Sequence, residues 1–198
     1  MVPPSGVPRQ SNYFAVWIRP VQIAKQLKTD YEELKDVNVG HAHFALRMAL
    51  REMDKMIKNG LSEEDFEATR AFLKSYIRLY IKSPDQQLGY LMDSKMYGRE
   101  NYIEELSELF SDLTPEDVNT AIKKYMQIDN MKITIVTDVS EAQPLAESLK
   151  NNTISLMTYS NLVKAGLSED ILSEDAATEN FKLNVKNVSV VDSKDTFK

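Results

Sequence analysis

Three hydroxyl residues, Ser62, Ser83 and Thr114, each stand directly ahead of a proline or a run of acids, and no other feature constrains the chain as much. A hydroxyl in that position accepts from amides that a helix start leaves unpaired. Carboxylates behind it meet the positive end of the helix dipole, and a proline at the first helical position has no amide to lose. The spacing therefore predicts three short helices. Ser62-Glu63-Glu64-Asp65, a near capping box, opens one whose apolar stripe is Phe66, Leu73, Tyr76, Ile77 and Tyr80. Ser83-Pro84 opens a second through about Tyr97, and Thr114-Pro115-Glu116-Asp117 a third ending near Met126. Upstream, His43 to Ile57 places apolar residues at 46, 49, 50, 53, 56 and 57, again helical spacing, and Asn59-Gly60 ends that segment.

Other stretches read as strands. Tyr13 to Pro20 is aromatic and β-branched and stops at a proline, following a leader rich in Pro, Gly and Ser. Met131 to Thr137 alternates with period two and is the clearest strand pattern, and Val185 to Asp192, with Val188, Val190 and Val191, predicts a last one. A short helix is expected over about Glu141 to Lys150. Ser168 to Asn180 is acidic, with only Ile171 and Leu172 to bury, and reads as an exposed connection. Strands separated by a block of helices predict an α+β fold with helices packed on a sheet. The expected organisation is a leader or severed loop over 1–12, an α+β domain over 13–139, and an extension over 140–198 whose final strand packs on the same domain.

Composition narrows the function. The 198 residues are 42% hydrophobic, enough to bury a sizeable core, but 24 Lys and Arg face 30 Asp and Glu. A net charge of −6 offers no surplus to neutralise phosphates, so nucleic acid and anionic membranes are not expected partners. With no cysteine, thiol catalysis, disulfides and Cys-held metals are excluded. No apolar run reaches the roughly 18 to 20 residues of a membrane span.

Candidate chemistry is sparse. His41-Ala42-His43 is the only imidazole cluster, and residues two apart on a helix point to different faces, so the pair reads as a surface or helix-start pair and not as a metal site. Glu63, Glu64 and Asp65 read as helix-start charges ahead of an acid–base pair. Tyr76, Tyr80, Tyr90 and Tyr97 offer two readings, a peptide-binding aromatic wall or core residues with their hydroxyls at the rim, and helical spacing favours the second. Gln86-Gln87-Leu88-Gly89-Tyr90 and Met96-Tyr97-Gly98 carry glycines that suggest close packing or a bend. No H-E-x-x-H, H-x-x-E-H, G-x-S-x-G, P-loop or G-x-G-x-x-G sequence occurs.

Four segments, taken in order, carry a resemblance: Phe44 to Glu52, Asn59-Gly60-Leu61-Ser62-Glu63-Glu64-Asp65-Phe66-Glu67-Ala68-Thr69-Arg70, Gln87-Leu88-Gly89-Tyr90, and Leu113 to Tyr125. Together they resemble the C-terminal half of pitrilysin/insulinase-type zinc metallopeptidases, the family of the mitochondrial processing peptidases. The resemblance covers about Tyr13 to Asp138. It implies a truncated half of a two-half peptidase, a mostly antiparallel sheet covered on one face by helices, and a chamber closed around unfolded peptide. Zinc is expected in the missing N-terminal half, on an inverted H-x-x-E-H motif that this chain lacks, so no catalytic or metal residue is carried over. Nor does Arg9 followed by Tyr13 reproduce the spacing of the family's substrate-positioning Arg and Tyr. The implied partners are the N-terminal half of the same parent, an unfolded peptide, and a second copy through an uncovered sheet edge. An inactive homologue serving as scaffold or partner subunit is the alternative, and the resemblance favours a bacterial, exported parent.

Overall fold

The computed structural model describes residues 15–19, 29–32, 35, 40–155 and 159–195. Among them there is no β-strand, and the fold is helical, not α+β. The principal helices are α1 (Gly40–Asn59), α2 (Glu63–Tyr76), α3 (Pro84–Met96), α4 (Tyr102–Asp112), α5 (Pro115–Tyr125), α6 (Val139–Lys150), α7 (Asn161–Ala165) and α8 (Glu169–Glu179). A 3-10 turn, Ile77–Ile81, continues α2, and another lies at Ser193–Asp195. None of these helices is long and apolar enough to cross a membrane.

None of the expected strands forms among the described residues. Of Tyr13 to Pro20, residues 15–19 are irregular and wholly exposed, while positions 13, 14 and 20 lie outside the described residues. Met131 to Thr137 keeps a trace of its alternation, with Met131, Ile135 and Thr137 half-buried, but Ile133 and Val136 face solvent and no ladder forms. Val185 to Asp192 is likewise irregular, with Val190 and Val191 exposed. Alternation records only a tendency to bury one face; a strand also needs neighbouring backbone to bond to.

The helix starts follow the caps. Ser62 accepts from the Asp65 amide at 3.1 Å, and Ser83 and Thr114 form reciprocal boxes with Gln86 and Asp117. Two caps mark helices that apolar counting does not reveal. Asn101 accepts from the Ile103 and Glu104 amides to open α4, and Ser168 accepts from the Ile171 amide to open α8. The expected exposed connection at 168–180 is therefore mostly helix, with Thr178 buried. Asp138 caps α6, which begins a few residues ahead of the expected Glu141.

The chain divides into two compact units. One contains Met56–Met126; the other contains the stretch ending at Lys55 together with the chain from Gln127 onward. In the first, both α2 and α3 contact the 3-10 turn and α4, and the buried apolar residues include Phe66, Ile77, Ile103 and Ile122. Buried Ser94 links α3 to α4: its hydroxyl donates to the Tyr90 carbonyl at 2.6 Å and accepts from the Tyr102 amide at 3.0 Å. The turn after α1 is fixed by α5. Gly60 has φ +77, a left-handed conformation that side chains resist, and a Cβ there would lie 2.9 Å from Asn119 Oδ1. In the second unit, Phe44, Leu46, Leu50 and Met53 of α1, Leu145, Ala146 and Leu149 of α6, and Leu183 are buried.

Candidate functional site

Phe72, Tyr76 and Tyr80 follow one another at four-residue spacing, so the path of α2 into the 3-10 turn lays them along one face. Phe72 and Tyr76 stack with ring centroids 5.4 Å apart, and Tyr76 and Tyr80 meet edge to face at 5.5 Å. The turn then reverses the chain. Ser83 and Pro84 start α3, Gln87 Nε2 ties back to the Ile81 carbonyl at 3.0 Å, and Tyr90 arrives edge-on to Tyr80 at 5.8 Å. The result is a four-ring ladder drawn from two helices and the turn between them.

None of its rings is buried. Phe72 and Tyr76 are exposed, at 61% and 41%, and Tyr80 and Tyr90 are half-buried. Tyr97, grouped with these tyrosines by spacing, is half-buried. The Tyr80 phenol is pushed above its usual range by partial desolvation and by the Tyr76 and Tyr90 hydroxyls, and Tyr90 by partial desolvation, Tyr102 and Asp93. Both therefore stay protonated at neutral pH and present neutral O–H groups beside apolar ring faces. Such a surface supplies stacking area and hydrogen bonds without charge, which suits an extended peptide of varied sequence.

A second exposed feature lies on α3 itself. Leu88, Leu91, Met92 and Met96, spaced i, i+3, i+4 and i+8, are all exposed and form an apolar stripe along that helix. Gly89 lies within α3 with nothing within 4 Å of where a Cβ would sit, so close packing does not account for it. Gly98 instead takes φ +70 in the turn after α3.

The remaining sequence candidates are dispersed. Glu63, Glu64 and Asp65 stand exposed in the first turn of α2, where their charges meet the helix dipole. His43 is not a surface residue. It is 2% exposed in the first turn of α1, and its Nε2 accepts from Arg47 Nε at 3.1 Å, which leaves that nitrogen no lone pair for a metal. Among the described residues no group of three or more His, Asp or Glu side chains stands together to hold a metal ion.

Three polar residues with structural leverage escaped the sequence reading: Arg47, Ser94 and Asn119. Only Arg47 left a usable signal, since it falls one turn from His43 and one from Leu50, inside the stripe that Leu46, Leu50 and Met53 define. A cation on an otherwise buried face implies acceptors supplied from elsewhere in the chain. Compared with family models, with curated proteins and with solved structures, the chain matches none.

Proposed function

We propose that this chain is the non-catalytic C-terminal portion of a zinc metalloendopeptidase of the pitrilysin/insulinase type, and that it holds extended peptide along the Phe72–Tyr76–Tyr80–Tyr90 ladder. The observation that carries the reading is the exposure of that ladder, because four contacting aromatic rings are ordinarily buried. The sequence resemblance of the segments Phe44 to Glu52, Asn59 to Arg70, Gln87 to Tyr90 and Leu113 to Tyr125 supports it too. In this reading zinc and the water it activates belong to the N-terminal half, and this chain is inert alone.

A second reading, a scaffold or partner subunit with no peptidase activity, is favoured by the α3 stripe of Leu88, Leu91, Met92 and Met96, which suits a protein partner better than a transient peptide.

One experiment tests both. Cleavage of a quenched-fluorescent unfolded peptide is measured with this chain alone and after adding the separately expressed upstream part of the same protein with zinc. Activity only on recombination, with KM raised about fivefold by Tyr80→Ala if one ring contact is worth ~1 kcal/mol, supports the peptidase reading. No cleavage by a complex verified by gel filtration overturns it in favour of the scaffold.

A further inference from the structure

Arg47 is the most enclosed large side chain of the second unit, 1% exposed, yet no carboxylate is among its hydrogen-bond partners. Its four acceptors are neutral and come from three stretches of chain. Nε donates to His43 Nε2 one helical turn back; Nη1 donates to the Phe181 carbonyl; Nη2 donates to Asn152 Oδ1 at 3.1 Å and to the Thr153 carbonyl. Asn152, held at φ 49 in the turn after α6, uses the same Oδ1 to accept from the Leu183 amide at 3.1 Å. One guanidinium and one amide oxygen thus pin the chain at 181–183 to α1.

We infer that His43 and Arg47 form an acid-sensitive clasp: protonation of His43 removes the lone pair that orients Arg47 and releases the segment at Phe181 to Leu183 from α1. A neutral imidazole is the only form that can accept at Nε2. An imidazolium there would be a second buried cation beside the first, with no anion bonded to either among the described residues.

Among the described residues no carboxylate bonds to either side chain. Arg47 is the charged group acting on His43. From the flanking segments, Lys150 and Lys182 are exposed, Glu179 acts on the Tyr159 phenol, and Glu174 is tied to Arg51 and Lys55 further along α1. Burial, and then Arg47, push His43 down to about 4 from an ordinary 6.5. The folded value is the lower one, so the released form takes up the proton more readily. Closure is therefore at full strength above pH 6.5 and weakens as pH falls toward 4.

The test is hydrogen exchange on the full chain from pH 7.5 to 4.5, with times scaled for the intrinsic pH dependence of exchange. The amides of Phe181 and Leu183, which donate to the Thr178 carbonyl and to Asn152 Oδ1, are expected to lose protection on the order of 100-fold across that range, while α5 holds its own. His43→Gln, which offers an acceptor that does not titrate, should flatten the response at these two amides. The same loss in His43→Gln, or equal loss in α5, overturns the clasp. Should that variant not fold, His41→Ala leaves His43 as the only histidine for a proton NMR titration. A ring titrating near 6.5, or one titrating near 4 without change in the amide resonances of 181–183, also overturns it.

Discussion

Asn119 grips both polar groups of Leu61: its Oδ1 accepts from the Leu61 amide at 2.7 Å and its Nδ2 donates to the Leu61 carbonyl at 3.3 Å. The side chain of α5 thereby replaces the backbone partners that the turn between α1 and α2 cannot supply. Asn119→Ala would leave both groups partly shielded and unpaired, and is expected to cost about 1–3 kcal/mol in urea denaturation with an unchanged m-value.

Gly60 belongs to the same joint. Gly60→Ala combines a positive φ with a Cβ 2.9 Å from Asn119 Oδ1, and should destabilise by roughly 1–3 kcal/mol. In an Asn119→Ala background the steric part disappears and only the backbone part remains, so the two substitutions should cost less together than their sum. Strict additivity in that double-mutant cycle would contradict the contact.

Gly89 gives the opposite sign. It sits in helical backbone with open space around it, so Gly89→Ala should raise stability by about 0.4–1 kcal/mol and lift the melting temperature by a few degrees. A loss of stability would mean that something packs there.

Ser94 is enclosed and bonded on both sides, to the Tyr90 carbonyl and the Tyr102 amide. Ser94→Ala keeps the volume but removes the hydroxyl that accepts from the Tyr102 amide at the start of α4, for an expected cost of about 1–3 kcal/mol. Faster exchange should centre on the first turn of α4, which native-state hydrogen exchange resolves.

Glu174 joins α8 to α1 by accepting from Arg51 and Lys55, and these bonds draw its carboxyl down to about 2 from an ordinary 4.5. A lowered folded value means that the pair favours the folded state above pH 4.5 and loses that effect as pH falls through 2. A carbon-detected titration should place the Glu174 midpoint well below 4, and Arg51→Ala should move it upward. At this exposed site salt should weaken the effect.

Local signals carried the helices well. Ser62, Ser83 and Thr114 announce α2, α3 and α5 because a cap acts through amides two or three residues away, a distance over which sequence and space coincide. Asn101 and Ser168 work by the same chemistry, but the segments behind them invite counting of apolar residues instead of inspection for caps. The strand patterns misled for a physical reason. Ile133, Ile135 and the valines near the end of the chain have the side chains a sheet prefers, but preference adds no hydrogen-bond partner.

The candidate site was half visible. Tyr76, Tyr80 and Tyr90 stand out as aromatic candidates in the sequence, whereas the stacking of Phe72 on Tyr76 and the arrival of Tyr90 against Tyr80 depend on how α2 and the 3-10 turn run.

By itself the sequence determined where most helices begin and end, the acidic balance, and the scarcity of groups able to do chemistry, because each is set by residues near in the chain or by simple counting. Only the tertiary structure decided that period-two segments remain unpaired among the described residues, that four aromatic rings meet with none of them buried, and that Arg47 is satisfied by oxygens more than a hundred residues away. Those outcomes depend on which distant backbone and side-chain groups meet, and no local pattern specifies a partner at that range.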